Sequence, residues 1–173
     1  MKNEIKSDEI VSLIVKGKRN YKRPQVGDLF SFEIKGVGFI HGLVAKNDLV
    51  WKKDSPPEFS IVYIYKDVTS ELSSDINLSK ENFLIEPTIV NDMQWRSGYF
   101  QTYKNLTKDE YSKLIFENHC LFNDLKSDNY QYTNQENQPC EEFYPLVSRW
   151  LGSVFTIAIK SYIKLYPDIK ITE

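Results

Sequence analysis

The sequence predicts an α+β domain: a strand-rich, strongly bent antiparallel sheet or partial barrel, with a C-terminal helix and one or two short helices. Three observations carry this. FSIVYIY, beginning at Phe59, is dense in β-branched and aromatic residues, which suit a pleated surface. LFSFEI and FIHGLVA flank Gly36-Val37-Gly38 as two strands flank a connecting loop. From Val154, apolar residues at Ile157, Ala158, Tyr162 and Leu165 follow a helical period until Pro167 stops it.

The remaining elements follow in chain order. Residues 7–16 predict a short helix: Ser7 caps it, Asp8 and Glu9 suit its first turn, and Gly17 suits its end. Residues 16–23 form a basic connector that ends at Pro24. Gly27-Asp28 is the turn into the first strand. KKDSPPE, at 52–58, is a loop fixed by its two prolines. Residues 67–80 are polar and predict a long loop with at most one helical turn. NFLIEPTIV is a strand interrupted by Pro87, which implies a sheet edge or a bulge. GYFQTYK is a further strand, on which Tyr99 and Phe100 face opposite ways. Thr107-Lys-Asp-Glu110 is a capping box opening a helix over 108–117. CLFND and NYQYT predict a hairpin around 126–128. The whole forms one domain, with an extension over 1–21, the main sheet over 22–105, and helix, hairpin and last helix over 106–173.

Composition narrows the function classes. The chain has 173 residues, 41% of them hydrophobic and 14% aromatic, enough for one sizeable core. Twenty-two Lys and Arg against 24 Asp and Glu leave a formal charge of −2, so no global basic field draws nucleic acid. Local support for nucleic-acid binding is confined to KGKRNYKR with its Tyr21. The apolar stretch IVSLIV, fronted by Asp8 and Glu9, is too short for a signal peptide or a membrane span. The expected location is cytoplasmic, with no membrane partner and with Cys120 and Cys140 as reduced thiols.

Catalytic patterns are weak. His119 and Cys120 are adjacent, and adjacent strand residues point to opposite faces. His41, His119, Cys120 and Cys140 lack the close pairs of a zinc site. The glycines of KGVGFIHG do not lead a strand into a helix as a phosphate loop does. The pairs Glu81/Glu86 and Glu141/Glu142 are more simply solvated charge than acid–base machinery. The expectation is no enzyme, no metal and no cofactor. Candidate partner-binding residues are Trp51, Asp54, Glu58, Tyr63, Tyr65, Asp67, Glu71, Asp75 and Arg96. Tyr63 and Tyr65 share one strand face and would serve as anchors if that face were open; a covering helix would instead make them core. Acidic stretches at 54–58 and 67–75 flank that strand and suit a basic partner. Arg96 is the polar member of the aromatic run WRSGYF.

Three stretches together carry a family resemblance: RPQVGDLFSFEI with GFIHGLV, NFLIEPTIVNDMQWRSGYFQT, and SRWLGSVFTIAIKSYI. In this order they resemble the immunity protein 26 family of bacterial polymorphic toxin systems, over residues 22–165. Gly27 and Asp28 fit the opening turn, Gly42 the second strand, and Pro87 the apolar-proline segment. Trp95, Gly98, Tyr99 and Phe100 fit the central motif, and Thr156 and Ile157 the last helix. Glu86 departs from a common Pro-Pro, and the first 20 residues and 67–80 have no counterpart. The resemblance implies a non-catalytic antidote that binds and blocks a cognate toxin domain, for which a nuclease would suit acidic loops. The alternative is a small-ligand-binding or enzymatic domain on a small barrel-like sheet, which requires a concave pocket lined by Tyr and Trp with convergent polar groups.

Overall fold

The computed structural model describes residues 10–16, 21–49, 56–114, 121–122, 132–133, 147–149 and 153–169. Its strands are β1 (Asp28–Ile34), β2 (Gly38–Leu49), β3 (Phe59–Thr69), β4 (Phe83–Asn91), β5 (Gln101–Asn105), β6 (Leu121–Phe122), β7 (Tyr132–Thr133) and β8 (Val147–Arg149). Its helices are α1 (Met93–Ser97), α2 (Lys108–Leu114) and α3 (Ser153–Leu165), and a 3-10 turn spans Lys80–Asn82. The protein is α+β, as its sequence predicts.

Six strands form one open sheet in the order β5-β1-β2-β3-β4-β8. Every pairing is antiparallel except β4 with β8, which is parallel and joins Thr88–Val147, Ile89–Ser148 and Val90–Arg149. Register shifts interrupt β1–β5, β2–β3 and β3–β4, and each such bulge adds local bend and twist. One of them contains Pro87: Val62 faces Thr88 and Ile64 faces Ile85, so β4 holds an extra residue there. A residue without an N–H is tolerated at such a place. β6 and β7 pair separately, Leu121 with Thr133 and Phe122 with Tyr132, as the predicted hairpin requires.

Both faces of the sheet are covered, which explains why FSIVYIY is apolar throughout rather than alternating. One face carries Phe30, Phe32, Ile34, Val44, Val62 and Ile64, and α3 packs on it through Val154, Phe155, Ala158, Ile159 and Tyr162. That buried stripe differs from the one the sequence pattern suggested: Ile157 is half-buried and Leu165 is 47% exposed. The other face carries Leu29, Leu43, Ile61, Tyr63, Tyr65 and Ile89, with Ile76, Leu78, Tyr103, Tyr111 and Leu114 packed on it. Successive residues of β3 alternate between these two cores, as a period of two demands.

Two expectations are corrected. Residues 12–16 are not helical. Val11 bridges to Ile34, Ser12 N donates to Glu33 O, and Lys35 N donates to Ile10 O. The apolar Ile10 and Val11 are buried at the end of β1, where β-branched side chains gain more from the sheet than from a short isolated helix. GYFQTYK is a strand only from Gln101. Residues 93–97 coil into α1, and Gly98 ends it at φ 81, a left-handed conformation that suits glycine. The capping box of α2 is formed as predicted: Thr107 N and Oγ1 donate to Glu110 Oε2, and Glu110 N donates to Thr107 Oγ1. Among the described residues no helix is long and apolar enough to cross a membrane.

Gly42 is required for space. A Cβ there would lie 2.3 Å from Phe30 Cζ and 2.7 Å from the backbone oxygen of Tyr63. Gly42→Ala should therefore lower stability by roughly 2 kcal/mol or more, since the β3 carbonyl cannot move without breaking the ladder. Urea unfolding monitored by circular dichroism measures it; a loss under about 0.5 kcal/mol would contradict this packing.

Candidate functional site

Among the polar residues of the central strands, Ser31, His41 and Thr69 lie close together. Ser31 and His41 are direct partners in the β1–β2 register, and both are fully buried. A buried polar group is costly unless bonded, so their partners decide what they do. His41 Nε2 lies 2.7 Å from Thr69 Oγ1, and Nδ1 lies 3.1 Å from the Tyr103 hydroxyl. Thr69 Oγ1 in turn donates to Glu71 O at 2.7 Å. The threonine has a single proton and gives it to that carbonyl, so it accepts from His41, which assigns the proton to Nε2. Nδ1 then accepts from Tyr103. Burial pushes the His41 pKa down to about 4, with the negative charge of Asp67 opposing that shift, so the ring is neutral at pH 7.

This chain of bonds ends on the loop between β3 and the 3-10 turn. Other bonds hold the same loop. Ser31 Oγ donates to Leu72 O at 2.9 Å. Asp67 Oδ2 accepts from Asn77 N and from Asn82 Nδ2, both at 2.8 Å. Ser79 N donates to Asn77 Oδ1 at 3.0 Å. Ile76 and Leu78 pack down onto the sheet. A long polar segment without regular structure is thus fixed in one shape, and Glu71 and Asp75 stand exposed on it.

The predicted partner-binding residues separate into groups. Glu71 and Asp75 are exposed on the fixed loop, while Asp67 is half-buried and serves to close it. Tyr63 and Tyr65 are each 1% exposed and cannot be surface anchors. They form the floor under the loop: Phe83 lies 4.8 Å and 5.5 Å from their rings, and burial pushes both hydroxyl pKa values up. What covers them is α2 together with the loop itself, whose apolar residues were hidden in a polar sequence. Trp51 and Asp54 lie outside the described residues, as do His119, Cys120 and Cys140. Glu58 and Arg96 are exposed and near enough for Glu58 to help hold the Arg96 charge, after the larger effect of a Tyr21 hydrogen bond.

Arg96 belongs to a second cluster that sequence reasoning missed. Its guanidinium carbon lies 5.1 Å from the centre of the Tyr21 ring. Tyr21 Oη and Arg23 Nε both donate to Asp92 Oδ2 at 3.1 Å. Arg23 also donates to the backbone oxygen of Asn47, and Asn47 Nδ2 donates to Pro24 O at 2.8 Å. Asp92 is 2% exposed; burial raises its pKa, and the Arg23 bond opposes that rise. Tyr21 and Arg23, at the end of the basic connector, are therefore committed to an internal carboxylate. The signal in the sequence was an Asp inside a hydrophobic stretch, at VNDMQW.

Beside this cluster a groove of about 750 Å³ opens between the connector and β5. Tyr21, Arg23, Asn47, Trp95, Thr102 and Asn105 are among its walls. No family model, curated protein or solved structure matches the chain.

Two outcomes are expected. The first concerns His41, whose folded pKa lies below the unfolded value of about 6.5. Its contribution is complete above that value and is lost as pH falls toward 4. At about 1.4 kcal/mol per pH unit, the loss approaches roughly 3 kcal/mol. His41→Leu should be less stable at pH 7 and should show a flatter decline, read from urea titrations at each pH. The second concerns Asp92. Arg23→Ala leaves a buried carboxylate without its cation and should destabilise by roughly 2 kcal/mol, more than Asp92→Asn, which removes the charge itself. Thermal unfolding ranks the two variants.

Proposed function

We propose that the protein is an immunity protein that binds a cognate toxin domain and blocks it, without catalysis of its own, in the cytoplasm of a bacterium. The observation that carries this reading is the acidic loop held by His41, Ser31 and Asp67. A long polar loop is ordinarily mobile, and ordering it on binding weakens affinity. Here the ordering is already done by buried side chains. Glu71 and Asp75 are presented in fixed positions, which suits a basic surface such as a nuclease cleft. The family resemblance over residues 22–165 supports the same reading. An interface of standard size, about 800 Å² per partner, would extend beyond this loop.

A second reading, small-ligand binding, draws support from the groove. It has the Tyr and Trp lining with polar groups that such a function requires: Tyr21 and Trp95 with Asn47, Thr102 and Asn105.

The test of the first reading is co-expression with a toxin domain encoded beside this protein, scored by restored growth. Glu71→Lys with Asp75→Lys should slow association with that domain by about tenfold at low salt. The effect should shrink as salt rises, with an unchanged melting temperature. Equal association rates for wild type and variant at every salt concentration would remove the loop from the interface.

A further inference from the structure

Among the described residues, the strand order leaves β5 at one end of the sheet. An end strand presents N–H and C=O groups that another chain can pair with. Two surfaces flank this strand. The groove lies along it, with Gln101, Thr102 and Asn105 in its wall. Beside it, Tyr103 reaches the acidic loop. Its hydroxyl is 3.4 Å from Ser74 O, and Asp75 adds to the burial that pushes its pKa up to about 12. Ser31, which bonds Leu72 O in that loop, pairs directly with Gln101. The groove and the acidic loop thus border the same five-residue strand.

We propose that β5 takes an extended segment of the partner protein as an added strand. Alternate side chains of an added strand point to opposite faces. One set enters the groove and the other meets the loop. The groove side, with Lys22 and Arg23 in its wall, suits side chains that carry no positive charge. Tyr21, Trp95 and Phe100 offer aromatic surface, and the amides of Asn47, Gln101 and Asn105 offer hydrogen bonds. The carboxylate of Asp28, in the same wall, is satisfied internally by Gln25 N and Asn105 Nδ2, both at 2.8 Å. The loop side suits lysine or arginine, opposite Glu71 and Asp75. The segment is therefore extended, with basic residues at every second position. Main-chain pairing supplies affinity in this mode, and the side-chain surfaces supply selectivity. A second copy of this chain fits less well, because pairing β5 with β5 brings two acidic loops toward each other.

This inference rests on the protein-binding reading and names the partner's segment. Its probe is a short capped peptide alternating lysine with valine, compared with the same peptide carrying glutamate for lysine. At millimolar peptide, amide hydrogen exchange is followed by NMR. The lysine peptide should slow exchange of outward-facing amides within residues 101–105 by about tenfold and shift the Trp95 ring signals. The glutamate peptide should do neither. The double variant Glu71→Lys, Asp75→Lys, altered only at exposed positions, should lose the response while keeping its fold. Unchanged exchange in β5, protection confined to other strands, or equal responses to both peptides would each overturn the proposal. So would self-association through β5, seen as concentration-dependent protection without peptide. Growth rescue reads toxin binding at any surface, so rescue with no β5 response overturns this inference alone.

Discussion

Phe30 lies where β1, β2, α1 and β5 meet. Its ring occupies the space that a side chain at position 42 would fill. Trp95 packs edge-on at 5.0 Å, and Phe100 lies tilted at 4.5 Å. Trp95 and Phe100 meet each other at 4.8 Å and 87°. Phe100 then contacts Phe155 of α3 at 5.5 Å. Each such pair adds about 0.5–1.5 kcal/mol beyond the area it buries. The cluster also sets positions elsewhere. For Trp95 and Phe100 to converge on one ring, the chain must reverse between them. Gly98 makes that reversal, and Gln94 O accepts hydrogen bonds from both Tyr99 N and Phe100 N. β5 starts immediately after it. The end strand and the groove beside it are therefore placed by a hydrophobic contact in the core.

The buried polar groups act on backbone more than on one another. Ser31 and Thr69 bond loop carbonyls, and Tyr111 Oη donates to Ala45 O. Arg23 bonds the Asn47 carbonyl as well as Asp92. Each of these side chains fastens a loop, the connector's end or α2 to the sheet. That is the physical content of a preorganised surface: the segment's entropy is already lost in the unbound protein. It also joins the two proposed contact surfaces. His41 supports the acidic loop through Thr69 and meets β5 through Tyr103, at 3.1 Å.

Most strands and the last helix were legible because their patterns are local. LFSFEI, FIHGLVA and FSIVYIY show strand composition, and Thr107–Glu110 shows its capping chemistry, without reference to any distant residue. The residues around 93–100 were harder. The strand predicted over 98–104 begins only at Gln101, after a five-residue helix that the sequence pattern does not predict and a turn, because Trp95 and Phe100 must reach the same partner from nearby positions. The helix predicted over 7–16 rests on local signals at its two ends, yet Val11 pairs with Ile34, a residue far away in sequence. The tyrosine face of β3 stayed ambiguous because its cover comes from α2 and from a loop of polar appearance.

Sequence alone determined the α+β class, the central antiparallel strands, an edge or bulge at Pro87 and the α2 cap, since each depends on periodicity or on a backbone property of a single residue; the β3–β4 register decided for the bulge. Tertiary structure decided which polar residues matter. The roles of His41 and Ser31 cannot be read from a list of residues, because a hydrogen bond depends on what a side chain faces across the fold. It also decided that, among the described residues, β5 stands at the end of the sheet beside both the groove and the acidic loop. Strand order is a property of long-range pairing, and no local stretch encodes it.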